Sequence, residues 1–364
     1  MAGAALTVAI VGAGNVGLAL ARMLVASGDY AVRAADCTEE AVARAAGHGI
    51  DARLVDASSS TRLGAFLEDA DFAVAAVPDR IVPRVAMAAR GAGCHYIDFS
   101  IPDSLVASLA EAPGRPVFLP GCGVSPGLAD GLVASLAAEF EEPVDVELAV
   151  GAIPTRRTNR LGYSLIWNLD GLFAEYTSPC EAISDFALTE LPPLSKLTAM
   201  TIDGTDYEAF CTAGMMGSMR PLAGGNVRSL ICRTIRYPGH LDYMLLLLDD
   251  LRLRQRRDLL HTVLKSGLRE TGSDMVLLHA SARAAAGPDR QRQCTVRIDA
   301  SPDYGNALAV GSAAHAASLL DQIRTAQVRD SAWRPNIFAD VLDSRFAKGI
   351  IQIERAVLEP ALKP

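Results

Sequence analysis

The sequence predicts an α/β protein in which an N-terminal doubly wound parallel sheet is followed by an α+β domain on a mixed sheet. Three observations predict this. Short apolar strands alternate with helices through the first third, a Gly-x-Gly-x-x-Gly turn follows the first strand, and longer alternating strands begin only after Gly121.

The elements follow in order. Leu6–Val11 is a short apolar run leading into glycines, then into a helix pattern that carries Val16, Leu20, Met23 and Leu24. Ser27-Gly28-Asp29 ends that helix, and Tyr30–Ala35 is the second strand, stopping at Asp36. Thr38–Gly47 reads as helix, Ala52–Val55 as strand and Thr61–Leu67 as helix. Phe72–Val77 is a buried-strand pattern closed by Pro78. Val82–Ala92 is helical, and His95–Phe99 and Pro116–Leu119 are strands. Such alternation implies right-handed crossovers and a parallel sheet.

Beyond Gly121, Ser125-Pro126 reads as a helix start, because serine caps and proline fits a first turn where its missing N–H costs nothing. That helix is expected to reach Phe140. Val144–Ile153 alternates, and further β-like stretches lie at Thr198–Ile202, Ala209–Thr212, Ser229–Ile235 and Cys294–Ala300. Asp249–Gly267 reads as one long polar-apolar helix, and Leu308–Gln327 as an alanine-rich helix returning to the first domain. The expected organisation is therefore a dinucleotide-binding domain over residues 1–120, with 305–364 packing back on it, and a substrate and dimerisation domain over 121–304.

Composition narrows the function classes. The 364 residues are 50% hydrophobic and 21% charged, too apolar for disorder. A net charge of −8 supplies no global basic field for nucleic acid or anionic lipid. No apolar run is long enough to span a membrane, since Asn15 and Arg22 interrupt the richest stretch. No basic region precedes the first strand, so a soluble, cytoplasmic protein is expected. Seven irregularly spaced cysteines form no CxxC pair and the six histidines no HExxH, so neither disulfides nor a metal site is expected. The expected partners are a small-molecule amino-acid substrate and further copies of the chain, as a homodimer or larger.

The strongest local signal is Gly12-Ala13-Gly14-Asn15-Val16-Gly17, directly after an apolar strand and opening a helix. The first glycine permits the tight turn, the second the approach of a pyrophosphate, and the third close packing of helix on strand. Asp36 ends the second strand where an acid binds the adenosine ribose hydroxyls and repels a 2′-phosphate, which favours NAD over NADP. Asp56, Val77 and Pro78 lie where a Rossmann sheet places its ligand crevice.

Asp98 ends a strand on that edge, where a carboxylate suits either proton transfer or an ammonium group, or serves as a turn cap. In Pro120–Asp130, glycine-rich and next to a helix start, the amides suit a cofactor or an anion. There Cys122 reads as a packing thiol that borders substrate, and Asp130 as an acid suited to a helix dipole. In Arg233–His240, Arg236 is the natural partner of a substrate carboxylate and His240 a proton carrier or turn cap. The arginines of 252–257, interleaved with acids, read as a solvated face.

Several of these motifs together resemble the saccharopine dehydrogenase-like family. They are VAIVGAGNVG at Val8–Gly17, YIDFS around Asp98, GVSPGLADGL at Gly123–Leu132 and the Gly151–Pro154 turn. LGYSLIWNLDGLFAEYTSP at Leu161–Pro179, the Glu208-Ala209-Phe210 triplet and TIRYPGH at Thr234–His240 complete them. The resemblance runs from the first strand to about residue 330 and leaves the stretch after Ala332 unmatched. It is nearest to members acting on lysine, and so implies NAD-dependent oxidative deamination of the lysine side-chain amine. Asp98 or His240 would take the proton, Arg236 the carboxylate, and Tyr163 and Trp167 would wall the pocket. Two alternatives remain. One is an opine-type or carboxynorspermidine-type dehydrogenase working on a secondary amine, for which Arg156, Arg157 or Arg160 would anchor a second carboxylate. The other is a cofactor-binding sensor without turnover.

Overall fold

The apolar runs of the first third pair side by side because the central ones, β1 and β4, are buried on both faces and successive runs are separated by a helix long enough to cross over. The computed structural model describes residues 5–112, 114–166, 169–269, 271–286, 290–325 and 337–358. Strands β1 (Leu6–Val11), β2 (Tyr30–Asp36), β3 (Asp51–Leu54), β4 (Phe72–Ala75), β5 (His95–Asp98) and β6 (Phe118–Leu119) form a parallel sheet in the order β3-β2-β1-β4-β5-β6. Helices α1 (Asn15–Ser27), α2 (Glu39–Gly47), α3 (Ser60–Leu67), α4 (Val82–Ala92) and α5 (Ser104–Ala110) connect them. The strand order reverses between β1 and β4, the place where such sheets open a crevice at their carboxyl ends. Side chains cap the short helices: Thr38 caps α2, Ser59 caps α3 and Asp103 caps α5. No side chain caps α1.

The chain divides into two compact units. The first comprises the described residues of 1–128, 301–305 and 309–350, and the second those of 129–300, 306–308 and 351–364. In the second, β7 (Val144–Pro154), β8 (Cys180–Ser184), β9 (Ala187–Leu191), β10 (Thr198–Ile202), β11 (Thr205–Phe210), β12 (Val227–Arg236), β13 (Asp274–Ala284), β14 (Gln291–Asp299) and β15 (Ile351–Leu358) form a nine-stranded sheet. Its main path is β10-β11-β12-β7-β13-β14-β15, with β8 on β12 and β9 on β8. Only β12 and β7 run parallel, so the sheet is mixed. Helix α6 (Leu128–Ala137) precedes β7, α7 (Leu169–Thr177) follows it, and α8 (His240–Leu245) and α9 (Arg257–Gly267) lie between β12 and β13.

The α10 helix (Ala307–Arg324) carries buried Ala313, Ala314, Ala317 and Leu320, and from residue 309 on it belongs to the first unit. It is tied there by the Tyr30 hydroxyl, which donates to Asp321 at 2.9 Å. Helix α11 (Ile337–Leu342) follows in the same unit.

Three sequence expectations need correction. The segment 305–364 does not return whole to the first sheet, because β15 adds to the free edge of β14 from Ile351↔Ile298 to Leu358↔Gln291 and so completes the second. The helix expected from Ser125-Pro126 starts at Leu128. The Ser125–Pro126 peptide is cis and the loop closes on itself through Leu128 N–H donating to Gly123 O at 3.0 Å. The expected helix over Asp249–Gly267 is broken. A π turn at Leu246–Asp250 is followed by Arg252 at φ 57°, and the chain resumes as α9. The break brings Leu248, Leu260 and Leu264 into one apolar cluster with Leu172 and Tyr176 of α7, which a straight helix could not do.

Candidate active site

In the first unit the glycine turn separates into two structural glycines and one that packing leaves unexplained. Gly12 has φ +101°, and a Cβ there would lie 2.1 Å from the Ala76 carbonyl oxygen. A Cβ on Gly17 would lie 1.9 Å from the Gly12 oxygen, so strand, turn and helix close on one another. Gly14 has an ordinary φ of −70° and nothing within 4 Å of its would-be Cβ. Its missing side chain leaves space in front of the uncapped first turn of α1, where Asn15 is exposed and Val16 partly so. Open backbone before free helix amides is what a dinucleotide pyrophosphate requires, so these residues fit such a cofactor.

Asp36 stands at the end of β2 with one oxygen accepting from Ala13 N–H at 2.9 Å and the other from the Thr38 hydroxyl at 2.9 Å. Its negative charge is thereby fixed at the turn. Asp56 follows β3 and accepts from Ser58 N–H at 2.8 Å, a bond that holds its carboxyl below the usual range. Val77 reaches within 3.2 Å of the would-be Gly12 Cβ, and the Pro78 carbonyl accepts from Ile81 N–H at 2.8 Å to turn the chain into α4.

Asp98 is not the open acid that its place at a strand end suggests. It is 0% exposed. One oxygen accepts from Gly121 N–H at 2.9 Å and Ser100 N–H at 3.0 Å, the other from the Tyr96 hydroxyl at 2.9 Å. Burial pushes its carboxyl up to about 6 despite those donors. The carboxylate is a clamp on the loop after β6, with neither oxygen turned to an open surface as a proton acceptor for substrate would require. His315 of α10 braces the same loop, its Nδ1 paired with the Gly123 carbonyl at 2.8 Å and burial holding it down to about 4. Cys122 is buried, its thiol donating to the Leu119 carbonyl at 3.1 Å, so it packs rather than lining a substrate surface.

In the second unit the predicted residues Arg236, His240 and Tyr163 come together around Tyr176, which sequence reasoning missed. Arg236 is 4% exposed; Nε donates to the Tyr176 hydroxyl at 2.9 Å and Nη1 to the Ile235 carbonyl at 2.9 Å. Its guanidinium carbon stands 5.1 Å from the Tyr163 ring centroid and 5.8 Å from that of Tyr176. Burial pushes the Tyr163 phenol up to about 12, so both rings stay neutral walls. Nη2 makes no hydrogen bond among the described residues, and no carboxylate of theirs lies within 4.0 Å of the guanidinium. A buried cation with an unused donor calls for an anion.

His240 is 0% exposed with both ring nitrogens engaged: Nδ1 with the Leu161 carbonyl at 2.8 Å, Nε2 with the Tyr176 hydroxyl at 2.9 Å. A carbonyl only accepts, so Nδ1 carries the proton and Nε2 accepts from Tyr176, whose oxygen in turn accepts from Arg236. Burial, then the Arg236 charge, hold the imidazole down to about 3, so the neutral form prevails near neutral pH. His240 orients Tyr176 and through it Arg236; it does not shuttle protons. Accordingly, nitrogen NMR of His240 is expected to show one Nδ1–H tautomer, unchanged from pH 5 to 8. A titration midpoint near 6.5 would contradict the network.

Glu208 was also overlooked as a functional residue. Its oxygens accept from Gly239 N–H at 2.8 Å and Leu241 N–H at 2.6 Å, fixing the turn that carries His240, while Phe210 stacks on the imidazole at 6.2 Å. The Glu208-Ala209-Phe210 triplet is thus support for the cluster. Asp130, in the first turn of α6, is buried and accepts from the Ser218 hydroxyl. Trp167 lies outside the described residues. Glu175, beside Tyr176 on α7, is crowded yet keeps part of its surface accessible. Burial pushes its carboxyl up to about 7, with Arg236 pulling it back.

Comparison with known proteins bears on the family and the fold. Residues 8–116 match the model of the saccharopine dehydrogenase NADP binding domain, and residues 123–343 that of the saccharopine dehydrogenase C-terminal domain. Saccharopine dehydrogenase (L-Glu forming) from Saccharomyces cerevisiae has a similar fold, with TM-score 0.80 at 14% identity over 97% of this chain and 100% of that one. UDP-N-acetylglucosamine 3-dehydrogenase from Acidithiobacillus ferrooxidans matches with TM-score 0.39 at 14% identity, over 94% and 97%. Mycobacterium tuberculosis 3-hydroxyisobutyrate dehydrogenase matches with TM-score 0.22 at 27% identity, over 27% and 33%. With both domain models matched over most of its length, the chain belongs to the saccharopine dehydrogenase family.

Proposed function

We propose that this oxidoreductase is an L-lysine 6-dehydrogenase, which uses NAD to deaminate the side-chain amine of L-lysine oxidatively. The observation that carries the amino-acid substrate is Arg236, a buried guanidinium braced by Tyr176 and left with an unused donor. Such a group takes a carboxylate. The preference for NAD rests on Asp36, whose carboxylate, anchored by Ala13 and Thr38, sits where a 2′-phosphate would be repelled.

Gly12, Gly14, Gly17 and Asp36 would hold the dinucleotide, with Asp56, Val77 and Pro78 at the ends of the neighbouring strands. The nicotinamide, when bound, supplies the hydride acceptor. Arg236 fixes one end of the substrate in a guanidinium plane set by Tyr163 and Tyr176, so that the rest of the molecule is presented with little orientational freedom. Loss of a hydride and a proton turns the amine into an imine, and water then replaces nitrogen, releasing ammonia and the aldehyde. The aldehyde closes on its own α-amine to give Δ1-piperideine-6-carboxylate. Neither Asp98 nor His240 takes the amine proton, since both are enclosed and fully bonded. The opine-type alternative needs a second carboxylate anchor; Arg157 turns Nε and Nη2 to the Asn159 and Arg160 carbonyls, which leaves Arg156 and Arg160 as its candidates.

The test is NADH formation measured with L-lysine, saccharopine and L-ornithine, with NAD and NADP in turn. Fastest turnover with lysine and NAD is expected, and Asp36→Ala is expected to raise the KM for NAD about tenfold and relax the preference over NADP. Turnover of saccharopine alone would favour the secondary-amine reading, and binding without turnover the sensor.

A further inference from the structure

Arg236 is not the only charged group in its cluster. Glu175 precedes Tyr176 on α7, and Tyr176 is the residue that accepts from the Arg236 Nε. The carboxylate interacts electrostatically with Arg236, Tyr163 and Tyr176, yet forms no ion pair with the guanidinium within 4.0 Å. Its side chain makes no hydrogen bond among the described residues, while its backbone carbonyl is held by Ala213 N–H at 2.9 Å. Glu175 thus stands on an anchored turn, partly accessible, with both oxygens available. A carboxylate placed merely to neutralise Arg236 would close on it directly, because a contact pair is far stronger than one held apart in a low-dielectric pocket. A cation and an anion held near but apart match a ligand that carries both charges on neighbouring atoms. The head group of an α-amino acid is such a ligand, needing charge-assisted contacts of about 2.8 Å on either side.

We infer that Glu175 receives the α-ammonium of the substrate whose α-carboxylate is held by Arg236, so that the two residues together read the zwitterionic head group. This deepens the function proposed above and rests on its placement of a carboxylate on Arg236. It assigns Glu175 a part in specificity: α-amino acids are accepted, and carboxylic acids or ω-amino acids lacking the α-amine are not. A desolvated carboxyl near neutrality becomes fully ionised once an ammonium docks on it.

Calorimetry on the full chain with cofactor, using L-norleucine and hexanoate as ligands, separates the possibilities. Both lack the reactive amine and differ only at the α-position. The wild type is expected to bind norleucine about 30-fold more tightly than hexanoate, the worth of one buried charge-assisted contact. Glu175→Gln is expected to reduce that ratio to within about threefold, and Glu175→Asp to restore part of it. Thermal unfolding run in parallel shows whether each variant is folded, and Glu175→Asp serves should the amide variant fail. A wild type that does not discriminate, or a ratio unchanged in a folded Glu175→Gln, overturns the inference. An unchanged ratio with kcat lowered equally for L-lysine and 6-aminohexanoate also overturns it, and makes Glu175 a proton acceptor instead. Discrimination through Glu175 without any turnover of lysine leaves the head-group site standing and defeats the proposed reaction.

Discussion

Replacing Arg236 by lysine is expected to lower kcat/KM for the amino-acid substrate by about 10²–10³-fold, the equivalent of about 3–4 kcal/mol at 1.4 kcal/mol per tenfold. The size follows from the setting. The guanidinium is buried, its Nε is aligned by the Tyr176 hydroxyl, and its carbon lies 5.1 and 5.8 Å from two ring centroids. An ammonium retains the charge but has neither the fork that meets a carboxylate with two parallel bonds nor the plane that stacks. The loss should appear mainly in KM, since carboxylate contact is made in ground and transition state alike. Cofactor affinity is expected to stay at the wild-type value. Steady-state kinetics with varied substrate checks the first point and fluorescence titration of NADH the second. A kcat/KM within threefold of wild type would remove Arg236 from the site.

Gly17→Ala is expected to destabilise the first unit strongly, whereas Gly14→Ala is expected to leave it intact and weaken cofactor binding. The Cβ on residue 17 would stand 1.9 Å from the Gly12 carbonyl oxygen, which is backbone and has no rotamer to yield. Separating them moves α1 off the sheet, so the cost is expected to exceed about 4 kcal/mol, the range reserved for broken cores. For a unit of this size that lowers Tm by roughly 8–16 °C. At residue 14 the new methyl meets nothing within 4 Å, so the unliganded Tm should not move. The same methyl occupies the approach to the first turn of α1, and the dissociation constant for NAD is expected to rise roughly tenfold or more. Differential scanning calorimetry and ligand titration on the pair check both limbs. Equal effects at the two positions would mean that the turn is glycine-rich for packing alone.

The first sheet was legible because its information is local. Apolar runs end at Gly12, Asp36, Pro78 and Gly93, and such punctuation acts within a few residues. Helix α7 was missed because Leu169–Thr177 mixes Asp170, Gly171 and Glu175 among apolar residues, and its stability comes from packing on α9. Strand β13 was missed although Asp274–Ala284 is buried at nearly every position, because a run flanked on both sides by partners shows no clean alternation. The site was legible only as a roster of residue types. Whether Asp98 faces a ligand or turns back depends on the Gly121 amide, 23 positions away. The role of His240 depends on Leu161 and Tyr176, 79 and 64 positions away. Reach of that kind comes from tertiary assembly, and it converted two candidate proton carriers into braces and brought forward Glu175 and Tyr176.

The closing strand of the second sheet has a consequence for how the chain becomes a protein. Between β14 and β15 the polypeptide leaves the second unit, builds α10 and α11 in the first, and comes back to lie on the edge it left. Neither half is therefore continuous along the chain. During synthesis the β14 border stays uncovered until residue 358 has emerged, long after its own residues are made, and a bare strand border invites pairing with another chain. Such a chain completes its second sheet only late in its production, and no single cut, at Gly121 or elsewhere, would give each unit all of its own residues.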